Sequence, residues 1–245
     1  DVIHTAGTLT DGSYYWRVRA IDDNGDTSSW TEGNGGSGVA AFIVDLTAPS
    51  NVTAFTAEPL SDTTVQLSWS PSASSDADSV MIRYRAGSPY PADTGDGIAE
   101  AVVANSTTSY IVDGLTEKTL YYFGLFVKDS VGWWCSPDTA AQDSAYTPDA
   151  TIPENVTSFA ASYVTADSIS LSWTASVAAD AESVMVRYRT DSIYPSTETD
   201  GSFWGQYDCA VTSEYVFGLS EKQTYHFGAF VKDTSGNWSL SSTGA

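Results

Sequence analysis

The sequence has little positive charge and no long apolar run. It carries 10 Lys plus Arg against 31 Asp plus Glu, which gives a formal net charge of −21 at pH 7. Binding to nucleic acid depends on Lys and Arg contacts with phosphate, so this balance argues against a nucleic-acid partner. It argues equally against attraction to an anionic membrane surface. No stretch of about 18 apolar residues is present, so the sequence predicts no direct membrane insertion.

Cysteine and histidine are also scarce, with two of each. Cys135 and Cys209 are too few for a disulfide framework, and they are either bridged across domains or left as free thiols. A metal site built from His or Cys is not expected. Neither a Gly-x-Ser-x-Gly elbow nor a His-Glu-x-x-His motif occurs. His226 lies between two aromatic residues of an alternating run and is expected to face away from the core. The sequence therefore predicts a protein that is not an enzyme.

A gapless internal repeat organises the chain. Residues 79–91 read SVMIRYRAGSPYP, and residues 183–195, which begin 104 positions later, read SVMVRYRTDSIYP. The first 46 residues match the second half of the same repeat, because the aromatic run that begins at Tyr14 parallels the one at Tyr121. We therefore predict three segments: 1–46, the C-terminal half of a domain; 47–150, a complete domain; and 151–245, a domain that lacks its last strand.

Short alternating runs predict β-strands. Tyr121, Phe123, Leu125 and Val127 occupy every second position, which is typical of a half-buried strand. Turn signals such as Asp-Gly separate the runs, and no useful helical period appears. About seven strands in 100 residues indicate an antiparallel β-sandwich. We expect each core to contain Trp69, Val80, Ile82, Tyr84, Tyr121, Phe123, Leu125 and Val127, or their equivalents 104 positions later.

The repeats resemble fibronectin type III domains of secreted and cell-surface prokaryotic proteins. The resemblance is carried by a tryptophan in the second strand, Trp69 and Trp173, and by a Leu-x₅-Tyr spacing that ends at Tyr121 and Tyr225. It implies an all-β fold of tandem antiparallel sandwiches, rod-like and joined by short linkers that contain proline. It also implies that each tyrosine hydroxyl closes the corner before strand F with a hydrogen bond.

The resemblance is specific for the fold and says little about function, because this sandwich has many roles. Together with the acidity, it favours a non-enzymatic structural or spacer module of a large extracellular or cell-surface protein, appendage or filament. The incomplete end domains are either parts of a longer polypeptide or are completed by strand pairing with neighbouring subunits. The alternatives are an adhesive or glycan-binding module, with surface glycans as partners, and an accessory region of a secreted polysaccharide-degrading enzyme.

Acidic residues are predicted to gather where each domain begins. In this sandwich the B–C and F–G loops share the pole that the N-terminal segment enters. Converging carboxylates repel unless a cation or water screens them, and calcium favours several oxygen ligands. Candidate interdomain calcium ligands are Asp45, Asp76, Asp78 and Asp129 at the first joint and Asp149, Asp180, Glu182 and Asp233 at the second. The alternative is a set of separately solvated acids. The run at residues 22–26, DDNGD, does not have the EF-hand spacing, and a turn is the simpler interpretation.

Two further groups of residues are candidate sites. Four N-glycosylation sequons occur, at Asn51, Asn105, Asn155 and Asn237. They are glycan acceptors in a host that has the glycosylation machinery and plain polar residues otherwise. Asn51 and Asn155 are expected at an exposed edge. Trp204 and Tyr207 fall outside the shared strand pattern and have no aromatic counterpart in the preceding repeat. They are candidate sugar-binding residues if their rings form an exposed planar row. Otherwise they pack locally or against another subunit.

Overall fold

The computed structural model describes residues 7–33, 42–136 and 141–240, which contain seventeen β-strands. The chain divides into two compact units, Asp1–Thr147 and Pro148–Ala245. The described residues of segment 1–46 therefore belong to the same unit as the domain that follows. Within the described ranges, no helix has the length and apolar character needed to cross a membrane.

The first unit begins with four short strands. These are β1 (Gly12–Tyr14), β2 (Arg17–Val18), β3 (Thr31–Glu32) and β4 (Phe42–Val44). β1 pairs with β4 and β2 with β3, both antiparallel. The rings of Tyr14 and Phe42 stack with centroids 5.5 Å apart. Several apolar side chains of this segment, including Trp16 and Ile43, are exposed.

Seven strands of the first unit form a complete β-sandwich, as the alternation predicts. One sheet has the order β5-β6-β9 and the other β11-β10-β7-β8, and all neighbours are antiparallel. The strands, with their family letters, are β5 (A, Thr53–Pro59), β6 (B, Val65–Ser70), β7 (C, Ala77–Ala86), β8 (C′, Ile98–Ala104), β9 (E, Ser109–Val112), β10 (F, Thr119–Asp129) and β11 (G, Ala141–Thr147).

The second unit repeats this arrangement with six strands among its described residues. Its sheets have the orders β12-β13-β16 and β15-β14-β17. The strands are β12 (A, Thr157–Thr165), β13 (B, Ser168–Thr174), β14 (C, Ala181–Arg189), β15 (C′, Ser202–Asp208), β16 (E, Ser213–Phe217) and β17 (F, His226–Asp233).

The core lies between the two sheets of each sandwich. The predicted apolar positions of the complete domain are buried, except for Tyr84, which is half-buried and packs against the others. In the second unit the equivalents of Trp69, Phe123 and Val127 are likewise buried. The period-two interpretation is therefore confirmed for the inward face of the strands.

The tyrosine corner is present in all three copies. The hydroxyl of Tyr121 accepts a hydrogen bond from the backbone N–H of Thr116 at 2.9 Å, and Tyr225 accepts one from Ser220 at 2.9 Å. The first copy has one residue fewer in this loop. Its Tyr14 hydroxyl nevertheless accepts from the N–H of Thr10 at 2.9 Å and donates to the same residue's carbonyl at 2.7 Å.

Strand F is buried on both faces, which the alternation does not predict. Phe126 and its equivalent Phe230 point away from the inter-sheet core, yet both are fully buried. The C–C′ loop covers this outer face: a Cβ on Gly124 would lie 3.5 Å from Pro91, and a Cβ on Gly228 would lie 3.1 Å from Pro195. Glycine therefore lets the loop approach the strand closely.

Arginines of strand C anchor the C–C′ loop. Arg83 donates to the carbonyl of Gly97 at 3.1 Å, and Arg85 forms an ion pair with Asp96. The backbone N–H of Ala92, together with the Arg85 guanidinium, holds the pKa of Asp96 below its usual value. The second unit makes the same contacts, with Arg187 on Gly201 and Arg189 on Asp200. The arginines that make these contacts belong to the closely similar segments 79–91 and 183–195.

Candidate metal centres

Three carboxylates converge at one pole of each sandwich. Asp45, Asp76 and Asp129 each offer an oxygen, and these oxygens lie within 4.8 Å of one another. The equivalent residues of the second unit, Asp149, Asp180 and Asp233, are arranged in the same way. We call these the first and the second aspartate cluster. Each cluster contains three of the four acids that the sequence analysis groups together.

Strand pairing brings two members of each cluster together. Asp129 is the last residue of β10, and Asp76 directly precedes β7, its partner strand. The N–H of Ser130 donates to the Asp76 carbonyl at 3.0 Å, which fixes the B–C loop against the F–G loop. Thr234 and Asp180 make the same 3.0 Å bond in the second unit.

The third member comes from the segment that enters the domain. The Asp45 side chain accepts a hydrogen bond from the N–H of Thr47 at 3.1 Å. The indole N–H of Trp133 donates to the Asp45 carbonyl at 2.9 Å, which ties this segment to the F–G loop. In the second unit the position of Trp133 is occupied by Asn237, whose amide lies 3.3 Å from the Asp149 carbonyl.

A β-bulge keeps Asp78 and Glu182 out of the clusters. The register of β7 and β10 shifts so that Ala77 pairs with Asp129 and Ser79 with Lys128, leaving Asp78 as the extra residue. An extra residue breaks the alternation of side chains, so Asp76 and Asp78 do not share a face. Asp78 is exposed. Glu182, at the equivalent shift, instead forms a 3.2 Å ion pair with Lys232.

Asp129 has two oxygens in different environments. The residue is 1% exposed. Its Oδ1 accepts three backbone N–H groups, those of Val131, Gly132 and Trp133, at 3.0, 2.7 and 2.8 Å. Its Oδ2 is buried and has no hydrogen-bond partner in the part of the chain that the structure describes. Oδ2 is therefore the oxygen of Asp129 whose hydrogen-bonding capacity is unused among the described residues.

Asp233 differs from Asp129 at this second oxygen. Its Oδ1 accepts from the N–H groups of Ser235 and Asn237 at 2.9 and 2.8 Å. Its Oδ2 accepts from the side-chain amide of Asn237 at 3.0 Å. The two clusters thus have the same carboxylates but a different fourth residue.

The run at residues 22–26 forms a turn, as predicted. Oδ1 of Asp22 accepts the backbone N–H groups of Asn24 and Asp26 at 3.0 and 2.9 Å. This is the bonding that Asp129 and Asp233 make in the F–G loops of the other two copies. It is a local turn in which the aspartate replaces a backbone acceptor.

The four sequon asparagines all use their side chains within the fold. The prediction of an exposed edge is wrong for Asn51, which is 8% exposed and donates to the Leu125 carbonyl at 3.3 Å. Asn105 brackets the backbone of Ser72, and Asn155 donates to the carbonyl of residue 240. The Asn237 amide contacts the second cluster. Glycosylation stays a prediction, and at each position the sugar would be attached to an amide nitrogen that donates a hydrogen bond within the fold.

The candidate sugar-binding rings pack against the core. Trp204 and Tyr207 are half-buried on β15 and contact the core of the second unit. Burial also raises the pKa of the Tyr207 hydroxyl. Phe203 beside them is exposed. The contacts match the alternative of local packing, and sugar binding by Trp204 and Tyr207 stays a prediction.

The histidine and the two cysteines that could be reactive are His226, Cys135 and Cys209, and the contacts of His226 and Cys135 are packing and hydrogen-bond contacts within the fold. His226 packs edge-on against Tyr194 with ring centroids 4.9 Å apart, on the outer face of strand F as expected. Cys135 and Cys209 are free thiols. Cys135 is buried, its sulfur accepts the N–H of Val127, and burial raises its pKa.

Comparison with known proteins identifies the scaffold. Residues 47–140 match the fibronectin type III domain. The chain is 27% identical over 256 residues to Exoglucanase B of Cellulomonas fimi, an alignment that covers 96% of the chain and 20% of that protein. The chain thus spans about a fifth of this relative.

Two solved structures are also similar. The FN1–FN3 domains of chicken CNTN1 are 14% identical, with 94% of this chain and 75% of that chain covered and a TM-score of 0.42. A two-domain fibronectin type III segment of chicken tenascin is 17% identical, with 78% and 99% covered and a TM-score of 0.36.

Proposed function

Since the chain is built from tandem fibronectin type III-like domains, we propose that it serves as a non-catalytic spacer segment of a larger extracellular or cell-surface protein. The observation that carries this proposal is what the repeats share. The repeated side chains form the core, close the tyrosine corner and anchor the C–C′ loop. A scaffold requires residues that stabilise each repeat, and these are the side chains that the repeats share here.

Arginines of strand C form ion pairs with aspartates of the C–C′ loop. In the second unit a groove beside this loop is lined by Tyr188, Arg189 and Asp191, among others. Arg189 is bound by both Asp191 and Asp200. A guanidinium held by two carboxylates is not available to bind an anionic substrate, which supports a structural role for this groove.

A second candidate function is an accessory region of a secreted polysaccharide-degrading enzyme. It is favoured by the similarity to Exoglucanase B, which extends over nearly the whole chain but only 20% of that protein. Under this proposal the chain separates or supports other domains of the polypeptide and does no chemistry itself.

The first test is the mass of the native polypeptide, measured by immunoprecipitation and mass spectrometry with peptides assigned beyond both ends of this sequence. We expect a mass far above 26.1 kDa. A catalytic domain in the same polypeptide would favour the accessory role. A native mass near 26.1 kDa would contradict the spacer proposal and favour subunits that complete one another by strand pairing.

The second test uses the chain itself with cellulose and soluble polysaccharides. We expect no release of reducing sugar and no depletion onto insoluble cellulose. Binding that is lost in Trp204→Ala but kept in Phe203→Ala would favour a glycan-binding module. Circular dichroism and thermal unfolding must accompany both variants, because Trp204 packs against the core and Phe203 is exposed.

A further inference from the structure

We propose that the first aspartate cluster, formed by Asp45, Asp76 and Asp129, binds a calcium ion. Two independent observations meet here. Three carboxylate oxygens lie within 4.8 Å of one another, and the Oδ2 of Asp129 is buried without a hydrogen-bond partner among the described residues. A buried carboxylate oxygen that lacks a partner is costly unless a cation or proton satisfies it.

The protein's own cations do not neutralise this cluster. In the described ranges, no Lys or Arg forms an ion pair with any of its three aspartates. The nearest basic residue in sequence, Lys128, instead lies over the ring of Trp134, with its Nζ 5.6 Å from the centroid. Like charges this close repel, so an external cation stabilises the arrangement.

The donor set fits calcium better than the other common divalent cations. All three side chains offer hard carboxylate oxygens, and no imidazole or thiolate belongs to the cluster. Calcium accepts six to eight oxygens in flexible geometry and can complete its shell with water, whereas magnesium needs a near-ideal octahedron. A site formed by two loops and an entering segment provides the flexible geometry of calcium more easily than the strict octahedron of magnesium.

The second aspartate cluster acts as an internal comparison. There the amide of Asn237 donates to the Oδ2 of Asp233, the oxygen that is left without a partner in Asp129. The neutral amide occupies one lone pair of this oxygen and so competes with a metal ion for it. We therefore place the tighter calcium site at the first cluster, where Trp133 occupies the Asn237 position and binds only the Asp45 carbonyl.

The test is calorimetry on the full chain after removal of metal with a chelator. Titration with calcium chloride is expected to show one tight site, and saturating calcium at about 100 times the Kd is expected to raise the Tm of the first unit by roughly 5–10 °C. Asp76→Asn removes one charged ligand and is expected to weaken binding about tenfold or more. Its matched control, Asp78→Asn, makes the same charge change outside the cluster and is expected to bind normally.

A third variant tests the role of the fourth residue. Trp133→Asn introduces the side chain that the second cluster has, and it is expected to weaken calcium binding while raising the Tm measured in chelator. The proposal is overturned if the wild-type chain binds no calcium, if Asp78→Asn weakens binding as much as Asp76→Asn, or if magnesium binds as tightly as calcium. It is also overturned if Asp180→Asn, rather than Asp76→Asn, abolishes the tight site. None of these outcomes bears on the spacer function.

Discussion

The tyrosine corner allows a quantitative prediction, because the chain repeats it in different surroundings. Replacing Tyr121 with Phe removes only the hydroxyl that accepts the N–H of Thr116 at 2.9 Å and keeps the ring, which is 6% exposed. Tyr225→Phe removes the same bond in the second unit, where the tyrosine is half-buried and its partner, Ser220, is exposed. The two variants therefore differ mainly in how easily water can replace the hydroxyl.

The magnitude follows from the net value of a hydrogen bond. A typical intramolecular bond contributes about 0.5–1.5 kcal/mol, and an unsatisfied buried donor costs about 1–3 kcal/mol. Thr116 is exposed although the bond is partly buried, so water can reach its N–H in the variant. We expect Tyr121→Phe to cost about 1 kcal/mol and Tyr225→Phe about 0.5 kcal/mol. For units of this size, the first change corresponds to a Tm shift of roughly 2–4 °C.

The assay combines scanning calorimetry of the full chain with amide hydrogen exchange. Exchange at Thr116 should accelerate in Tyr121→Phe and stay unchanged in Tyr225→Phe, which assigns each effect to its own corner. Tyr122→Phe is the matched control, because that ring lies on the outer face against Tyr90. The reasoning is refuted if Tyr225→Phe is the more destabilising variant, or if Tyr122→Phe costs as much as Tyr121→Phe.

Three further predictions concern the outer face and the thiols. Gly228→Ala should destabilise the second unit by about 1–3 kcal/mol in calorimetry, because the added Cβ overpacks against the C–C′ loop. Gly124→Ala should destabilise the first unit less, because a Cβ there has more room. Equal losses of stability in the two variants would contradict this reasoning. The hydrogen bonds from Ser196 and the Arg189 guanidinium hold the pKa of Asp200 below its usual value, so the stability it contributes is complete above about pH 4 and is lost as pH falls through the folded-state pKa. Denaturant titrations from pH 6 to 3 should show a shallower loss in Asp200→Asn. Native-state labelling with a thiol reagent should be slower at Cys135 than at Cys209, because Cys135 is buried.

Much of the fold could be predicted from alternation and repetition. Period-two patterning identifies the inward side chains of strand F correctly, and the 104-residue offset transfers them to the second unit. The burial of Phe126 and Phe230 could not be predicted in this way, because the pattern assumes that the outer face is solvated. What covers that face is a loop folded back by long-range packing against a glycine.

The aspartate clusters were predictable only in part, because loop topology can be inferred from the repeat but a local bulge cannot. The sandwich topology brings together the entering segment and the two loops, so the sequence pattern already groups Asp45, Asp76 and Asp129. The bulge that moves Asp78 to the surface leaves no signal in the spacing of acids. The burial of Asn51 likewise leaves no local signal in the sequence, because its amide donates to the carbonyl of Leu125, which is distant along the chain.

The corner of the first copy has a consequence for insertions and deletions. Tyr14 bonds to a residue four positions earlier, whereas Tyr121 and Tyr225 bond to residues five positions earlier. The hydroxyl therefore absorbs a change of one residue in the loop without releasing the strand that follows. Two loop lengths that differ by one residue are thus both compatible with the same tyrosine hydrogen bond, which makes this loop a suitable place to test a one-residue insertion or a label.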